Sequence, residues 1–165
     1  MVVAHLITHG LSFAIIVNGY ILLVMILTSP RIWGYTDYPE VIKNKVPPQT
    51  KREKLLATLI GLPWFIFVLG FPVFSTYALK AKLGSEIPFS IAFLNVLVLT
   101  LLATLGDLVI LDWLLISKIT PKFVIIPGSE EADYKDFSHH YKAHARAVVG
   151  LVLVCFIMAG IVWYF

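Results

Sequence analysis

The stretch from Pro88 to Ser117, PFSIAFLNVLVLTLLATLGDLVILDWLLIS, limits the fold more than any other part of the chain. It is apolar well beyond the ~18 residues that mark a membrane-spanning helix. It nevertheless carries Asp107 and Asp112. A carboxylate at the centre of such a helix costs about 2.5–3.5 kcal/mol on insertion scales, so each acid is a candidate functional group. Three further apolar segments are long enough to cross a ~30 Å hydrocarbon core. The four spans are expected at about 5–27, 55–79, 88–117 and 147–165, with connections at about 28–54 and 118–146. The fold class is all-α, a four-helix membrane bundle forming a single domain.

Only 14% of the residues are charged, against 59% apolar. A soluble domain is about 25% charged, so lipid has to cover most of this surface. The net charge of +3 does not point to nucleic acid, because the basic residues sit between the spans. A single cysteine, Cys155, excludes an internal disulfide and a CxxC centre. No Lys or Arg precedes the first apolar stretch, so it reads as a retained helix, not a signal peptide.

The basic residues also orient the chain. Arg31, Lys43, Lys45, Lys51, Arg52 and Lys54 lie on the first connection, and Lys118, Lys122, Lys135, Lys142 and Arg146 on the third. The second has only Lys80 and Lys82. The positive-inside rule puts the first and third connections in the cytoplasm and both termini outside a plasma membrane. Trp163, Tyr164 and Phe165 are then an outer aromatic belt, and Trp33, Tyr35 and Trp113 an inner one. Four prolines break the first connection, which is expected to lie along the inner interface near anionic headgroups. The run Lys122–Gly128 is too short to span and is expected to be extended or to dip into the interface.

Within the spans, Asn18 is expected to make an interhelical hydrogen bond. Pro63 and Pro72 are expected to kink the second span, with the freed carbonyls satisfied by neighbouring helices. In the third span Thr100, Thr104 and Asp107 fall at i, i+4 and i+7, one polar stripe. Helical rise puts Asp107 ~16 Å from Lys118, near mid-membrane, and Asp112 ~9 Å from it. A five-residue gap turns the two carboxylates about 140° apart on an α-helix, so they are not expected to share one small site. Asp107 should face the bundle interior. Asp112 should face cytoplasmic water or pair with a lysine.

Ser129 is expected to cap a helix that runs past Arg146 into the fourth span. On it Asp136, His140 and His144 repeat at i, i+4 and i+8. Two imidazoles one turn apart can ligate one metal ion, and an acid one turn earlier can supply oxygen, with Asp112 able to complete the set. A bis-His haem takes axial ligands from two helices, whereas His5 and His9 share the first span; haem is disfavoured without an oligomer. Cys155 and Ala159 form a small-xxx-small face suited to a homo-oligomer or another membrane protein.

Two stretches resemble a family of small, uncharacterised prokaryotic membrane proteins. One is Asp37-Tyr38-Pro39-Glu40 with Ile42, then Val46-Pro47-Pro48-Gln49-Thr50 and Glu53. The other is Gly106-Asp107, Asp112-Trp113-Leu114, Thr120-Pro121-Lys122-Phe123-Val124, Pro127-Gly128 and Tyr134-Lys135-Asp136. The family's histidine corresponds to His140. The resemblance implies a four-span protein and brings no activity with it. It does gather weight on the cytoplasmic side.

The leading functional expectation is a ligand- or ion-binding or transport-type protein with a polar pocket open to the cytoplasm. Asp107 would be its buried acid, Asp112 its mouth acid, and Asp136 and His140 groups on its lid. The alternatives are a membrane enzyme acting on a lipid or isoprenoid through Asp112, Asp136, His140 and His144, and a non-catalytic subunit of a membrane complex.

Overall fold

The computed structural model describes residues 1–84 and 86–165, and among these the fold is all-α. Six α-helices follow one another: α1 Val2–Leu27, α2 Pro30–Trp33, α3 Glu40–Lys43, α4 Lys51–Lys82, α5 Phe89–Gly106 and α6 Ser138–Tyr164. Four helical segments are long and apolar enough to cross a membrane. Ile15, Ile66, Val149 and Leu153 are all at least 60% exposed on the bundle's outer surface. Side chains of that kind face lipid, and the protein is a multi-pass membrane protein.

Local chemistry sets the helix ends. Thr50 and Glu53 close a reciprocal capping box at the start of α4, with Thr50 N donating to Glu53 Oε2 at 2.7 Å. Arg31 then clamps Glu53 through both carboxylate oxygens (2.6 and 3.0 Å) and donates to the Pro47 and Pro48 carbonyls. Against Glu53, and despite some desolvation, this holds the Arg31 guanidinium above its ordinary pKa. Inside α4, Thr76 Oγ1 donates to the Pro72 carbonyl at 2.7 Å, and Tyr20 reaches across from α1 to the Ile60 carbonyl at 2.8 Å. These two hydroxyl bonds lie near the prolines, on the Pro72 and Ile60 carbonyls, and not on the Leu59 and Val68 carbonyls that Pro63 and Pro72 free.

After Gly106 the helix of α5 does not stop but widens. From Asp107 to Ile119 it is a π segment, with backbone hydrogen bonds running five residues back. Its last bond, Thr120 N to Leu115 O at 2.8 Å, has the same span. Thr120 ends it in the left-handed region, φ 49°, a strained setting for a β-branched residue. Its Oγ1 bonds to Ile116 O, and Lys135 Nζ reaches both Thr120 Oγ1 and the Lys118 carbonyl at the helix C-terminus.

The two long connections meet at one end of the bundle. Tyr38, Ile42 and Val46 pack against Val124, Ile126 and Tyr134, with Met25 and Ile116 beneath. Tyr38 donates to the Val124 carbonyl at 3.1 Å and meets the Tyr134 ring edge-on at 5.1 Å. Lys45 binds Asp133 at 2.7 Å across the two connections. The first connection and the Lys122–Gly128 run thus pack together into a small core of their own at that end of the bundle. Trp33 joins this core, edge-on to Tyr38 at 5.7 Å.

In the middle of the bundle lies an aromatic layer. Phe13 stacks on Phe71 at 5.3 Å and lies 5.8 Å from Phe67, with Val17 and Leu99 buried beside them. Towards the termini, His5 bonds Ser75, Asn95 bonds Ser75 and Thr76, and the His5 and His9 rings stack at 3.7 Å. Cys155 and Ala159 are fully buried, and Thr100 Oγ1 lies 3.2 Å from Cys155 Sγ. The small-residue face is used within the bundle and is not free for a partner.

Candidate functional site

The π segment decides the site. On an α-helix, residues five apart diverge; where each backbone bond spans five residues, they stack one above the other. Asp107, Asp112 and Ser117 follow that step. The Ser117 hydroxyl donates to the Asp112 carbonyl at 2.8 Å, holding the wide turn. Asp107 and Asp112 consequently face one place, which overturns the expected 140° separation. A wide turn also advances less along its axis per residue, so α-helical rise overstates the depth of both acids.

Opposite them stands the first turn and a half of α6. His140 Nδ1 lies 3.1 Å from Asp112 Oδ1, and His144 Nε2 lies 2.9 Å from Asp112 Oδ2 and 3.6 Å from Asp107 Oδ2. One ligand atom from each of Asp107, Asp112 and His144 falls within 4.8 Å of the others. Asp112 is the more enclosed acid, its side chain 13% exposed against 32% for Asp107, so the assignment of buried and mouth acids is reversed. Its partners are imidazoles, not a lysine or bulk water.

Two expected members lie elsewhere. Asp136 is exposed, and its carboxylate accepts from Ser138 N at 2.9 Å. The expected stripe required a continuous helix from Ser129. Instead Ser129 bonds Ile126 O and Tyr134 Oη, a short 3-10 turn covers Glu131–Tyr134, and α6 starts only at Ser138. Asp136 caps that start and does not share a face with His140 and His144. Thr100 and Thr104 do not reach the aspartates either. Thr100 is turned to Val96, Leu97 and Cys155, and half-buried Thr104 is not among the residues lining the cavity at Asp107.

That cavity has a volume of about 760 Å³. Its lining includes the ionisable residues Asp37, Asp107, Asp112, His139, His140, His144 and Arg146. Ile21, Val24, Ile60, Gly61, Trp64 and Leu111 are among the apolar residues of the same lining. The indole nitrogens of Trp33 and Trp64, both on its lining, are buried without a hydrogen-bond partner in the protein.

Asp37, His139, Trp33 and Trp64 are site residues that helical spacing alone does not single out. The Asp37-Tyr38-Pro39-Glu40 stretch stood in the resemblance; Tyr38 anchors the small core and leaves Asp37 at the mouth, where His139 Nε2 meets its carbonyl at 2.9 Å. Surrounding protein disfavours the charged carboxylate, and the Asp112 charge adds to this, so the pKa of Asp37 is raised. A raised carboxylate pKa means that the folded state binds more protons than the unfolded one. The penalty is absent below the ordinary value of about 3.8 and grows as pH rises through the raised one. Asp37→Asn is therefore expected to melt higher than wild type at neutral pH, with the gap closing towards about pH 4. Melting curves of both proteins across pH check this; a gap that persists in acid would contradict it.

No protein-family model, curated protein or solved structure matches the chain.

Proposed function

We propose that the protein binds a small amphipathic ligand, or an ion, in this cavity, as a binding or transport-type protein of the plasma membrane. The observation that carries the reading is the cavity's mixed lining: carboxylates and imidazoles converge in one enclosure with aliphatic and indole side chains. An apolar enclosure with a few convergent polar groups is the usual form of a small-molecule site. The eleven basic residues of the two long connections favour the cytoplasm as the side onto which the cavity opens, with both termini outside. The family resemblance adds support, since its two stretches contribute Asp37, Asp107 and Asp112 to this one region and the family's histidine corresponds to His140 there.

Native mass spectrometry of the protein extracted in mild detergent tests the reading. Wild type is expected to retain a small-molecule adduct that Asp107→Asn loses while the protein still inserts. Gly61→Trp should lose it too. A Cβ at Gly61 meets nothing within 4 Å, so the indole would fill the cavity without disturbing the polar pole. An adduct equally present in both variants would reject the cavity as its site.

A second reading is a membrane enzyme acting on a lipid or isoprenoid. The contact that favours it is His144 against Asp112 at 2.9 Å, since an imidazole held by a carboxylate is suited to proton transfer.

A further inference from the structure

We propose that Asp107, Asp112 and His144 bind one divalent transition cation, of the zinc or manganese type, at the polar pole of the cavity. The proposal rests on the reading of that cavity as a ligand site and gives its polar anchor a chemical identity.

The first argument is charge. Asp107 and Asp112 stand on a membrane-spanning segment and are brought to the same place by the π turn. Among the described residues, no Lys or Arg nitrogen lies within 4.0 Å of either carboxylate; their ion-pair partners are His140 and His144. Enclosed carboxylates are tolerated when they are paired or bound to a metal. Two carboxylates and an imidazole converging within 4.8 Å form a donor set that a dication can occupy.

The second argument is geometry. Ligands about 2.0–2.2 Å from one metal stand roughly 3.0–3.6 Å from each other in octahedral or tetrahedral sites. His144 Nε2 already lies 2.9 and 3.6 Å from the two carboxylate oxygens, so small side-chain adjustments close the set. His140 Nδ1 holds the second oxygen of Asp112 at 3.1 Å and fixes the plane of that carboxylate. One imidazole with two carboxylates suits Zn²⁺ or Mn²⁺ better than a soft thiophilic ion.

The third argument is access. All three ligands line the cavity, so coordination positions not filled by protein face its interior. Three protein ligands with an open position is the pattern of a metal that binds a further molecule, not of a closed structural site. The ligand class that follows is an amphiphile with an anionic head: oxygen on the metal, tail against the apolar residues of the lining.

The test uses the full chain, purified in detergent and stripped with a chelator. Zn²⁺ alone is titrated by calorimetry, and metal is counted after desalting. The expected result is one Zn²⁺ per chain, with affinity at least tenfold weaker in Asp112→Asn and His144→Gln. Asp136→Asn should bind as wild type does, because Asp136 lies outside the cluster. Failure of a variant to fold leaves the wild-type measurement decisive: Co²⁺ should bind at one equivalent and give visible bands that Zn²⁺ displaces. No stoichiometric metal in wild type, or undiminished binding in a folded Asp112→Asn, would overturn the proposal. Gly61→Trp separates this from the cavity reading. It should keep the metal while losing the small-molecule adduct, so metal without adduct in wild type fails the cavity reading alone, and adduct without metal fails this one alone.

Discussion

Tyr38→Ala is expected to cost about 3–5 kcal/mol of stability, the range for removing a large buried aromatic side chain. Tyr38 is only 1% exposed and lies at the centre of the small core that joins the two long connections. Its ring meets both Trp33 and Tyr134 edge-on, and its hydroxyl donates to the Val124 carbonyl. Truncation removes all of these at once and leaves a cavity between segments that otherwise hold only single-turn helices. The ion pairs around it do not compensate: Lys45 with Asp133 is solvent-exposed, and such pairs contribute about 0–1 kcal/mol. Tyr38→Phe keeps the ring and loses only the hydrogen bond, at about 0.5–1.5 kcal/mol. Thermal unfolding in detergent should rank the proteins wild type, Phe, Ala, with a much larger step to Ala. Equal steps would mean that the hydroxyl, not the packing, carries the core.

The second large effect is expected at Gly106, the last α-helical residue before the π segment. A Cβ there would stand 2.7 Å from Asn18 Nδ2. That amide is not free to move, because it donates to Ala14 O at 2.8 Å and to Ala103 O at 3.1 Å, tying α1 to α5. Gly106→Ala must break one of these bonds or push the helices apart, and overpacking of this kind costs about 1–3 kcal/mol. The shift falls one residue before Asp107, so metal or ligand affinity should drop together with the melting temperature. Asn18→Ala in the same background removes the clash and should recover part of both. A Gly106→Ala protein that melts and binds like wild type would show that α1 yields at no cost.

The spans were legible in the sequence because a single physical demand dominates them. Lipid requires a long apolar helix, and composition alone reveals one. The Asn18 bond was legible for the same reason, since polar groups in such helices need internal partners. The site was legible only in part. Asp107, Asp112, His140 and His144 stood out as ionisable residues near one end, but their mutual geometry was read with a period of 3.6 residues. Nothing in DLVILDWLLISKI breaks a helix, so the change to a five-residue step leaves no proline or glycine to mark it. The trace it does leave is the spacing of Asp107, Asp112 and Ser117. Asp136 was misplaced for the opposite reason: a continuous helix was assumed across Lys135–Phe137, where the chain turns. Thr120 and Lys135, which close the π segment from outside it, depend on contacts between distant parts of the chain that no local pattern encodes.

The Phe13, Phe67 and Phe71 layer has an electrical consequence. A transmembrane voltage falls mainly across the part of the protein that excludes water, and that layer separates the Asp107–Asp112 pole from the histidines near the termini. None of the three rings lines the cavity, so on the proposed reading the cavity opens on the acids' side of that layer. A cation arriving at the acids from that side crosses little of the field, and its affinity should hardly respond to membrane potential. Passage beyond the phenylalanines would couple to about 2.3 kcal/mol per charge for each 100 mV. Voltage therefore separates binding from translocation: insensitivity belongs to the acids, and a steep response to the aromatic barrier behind them.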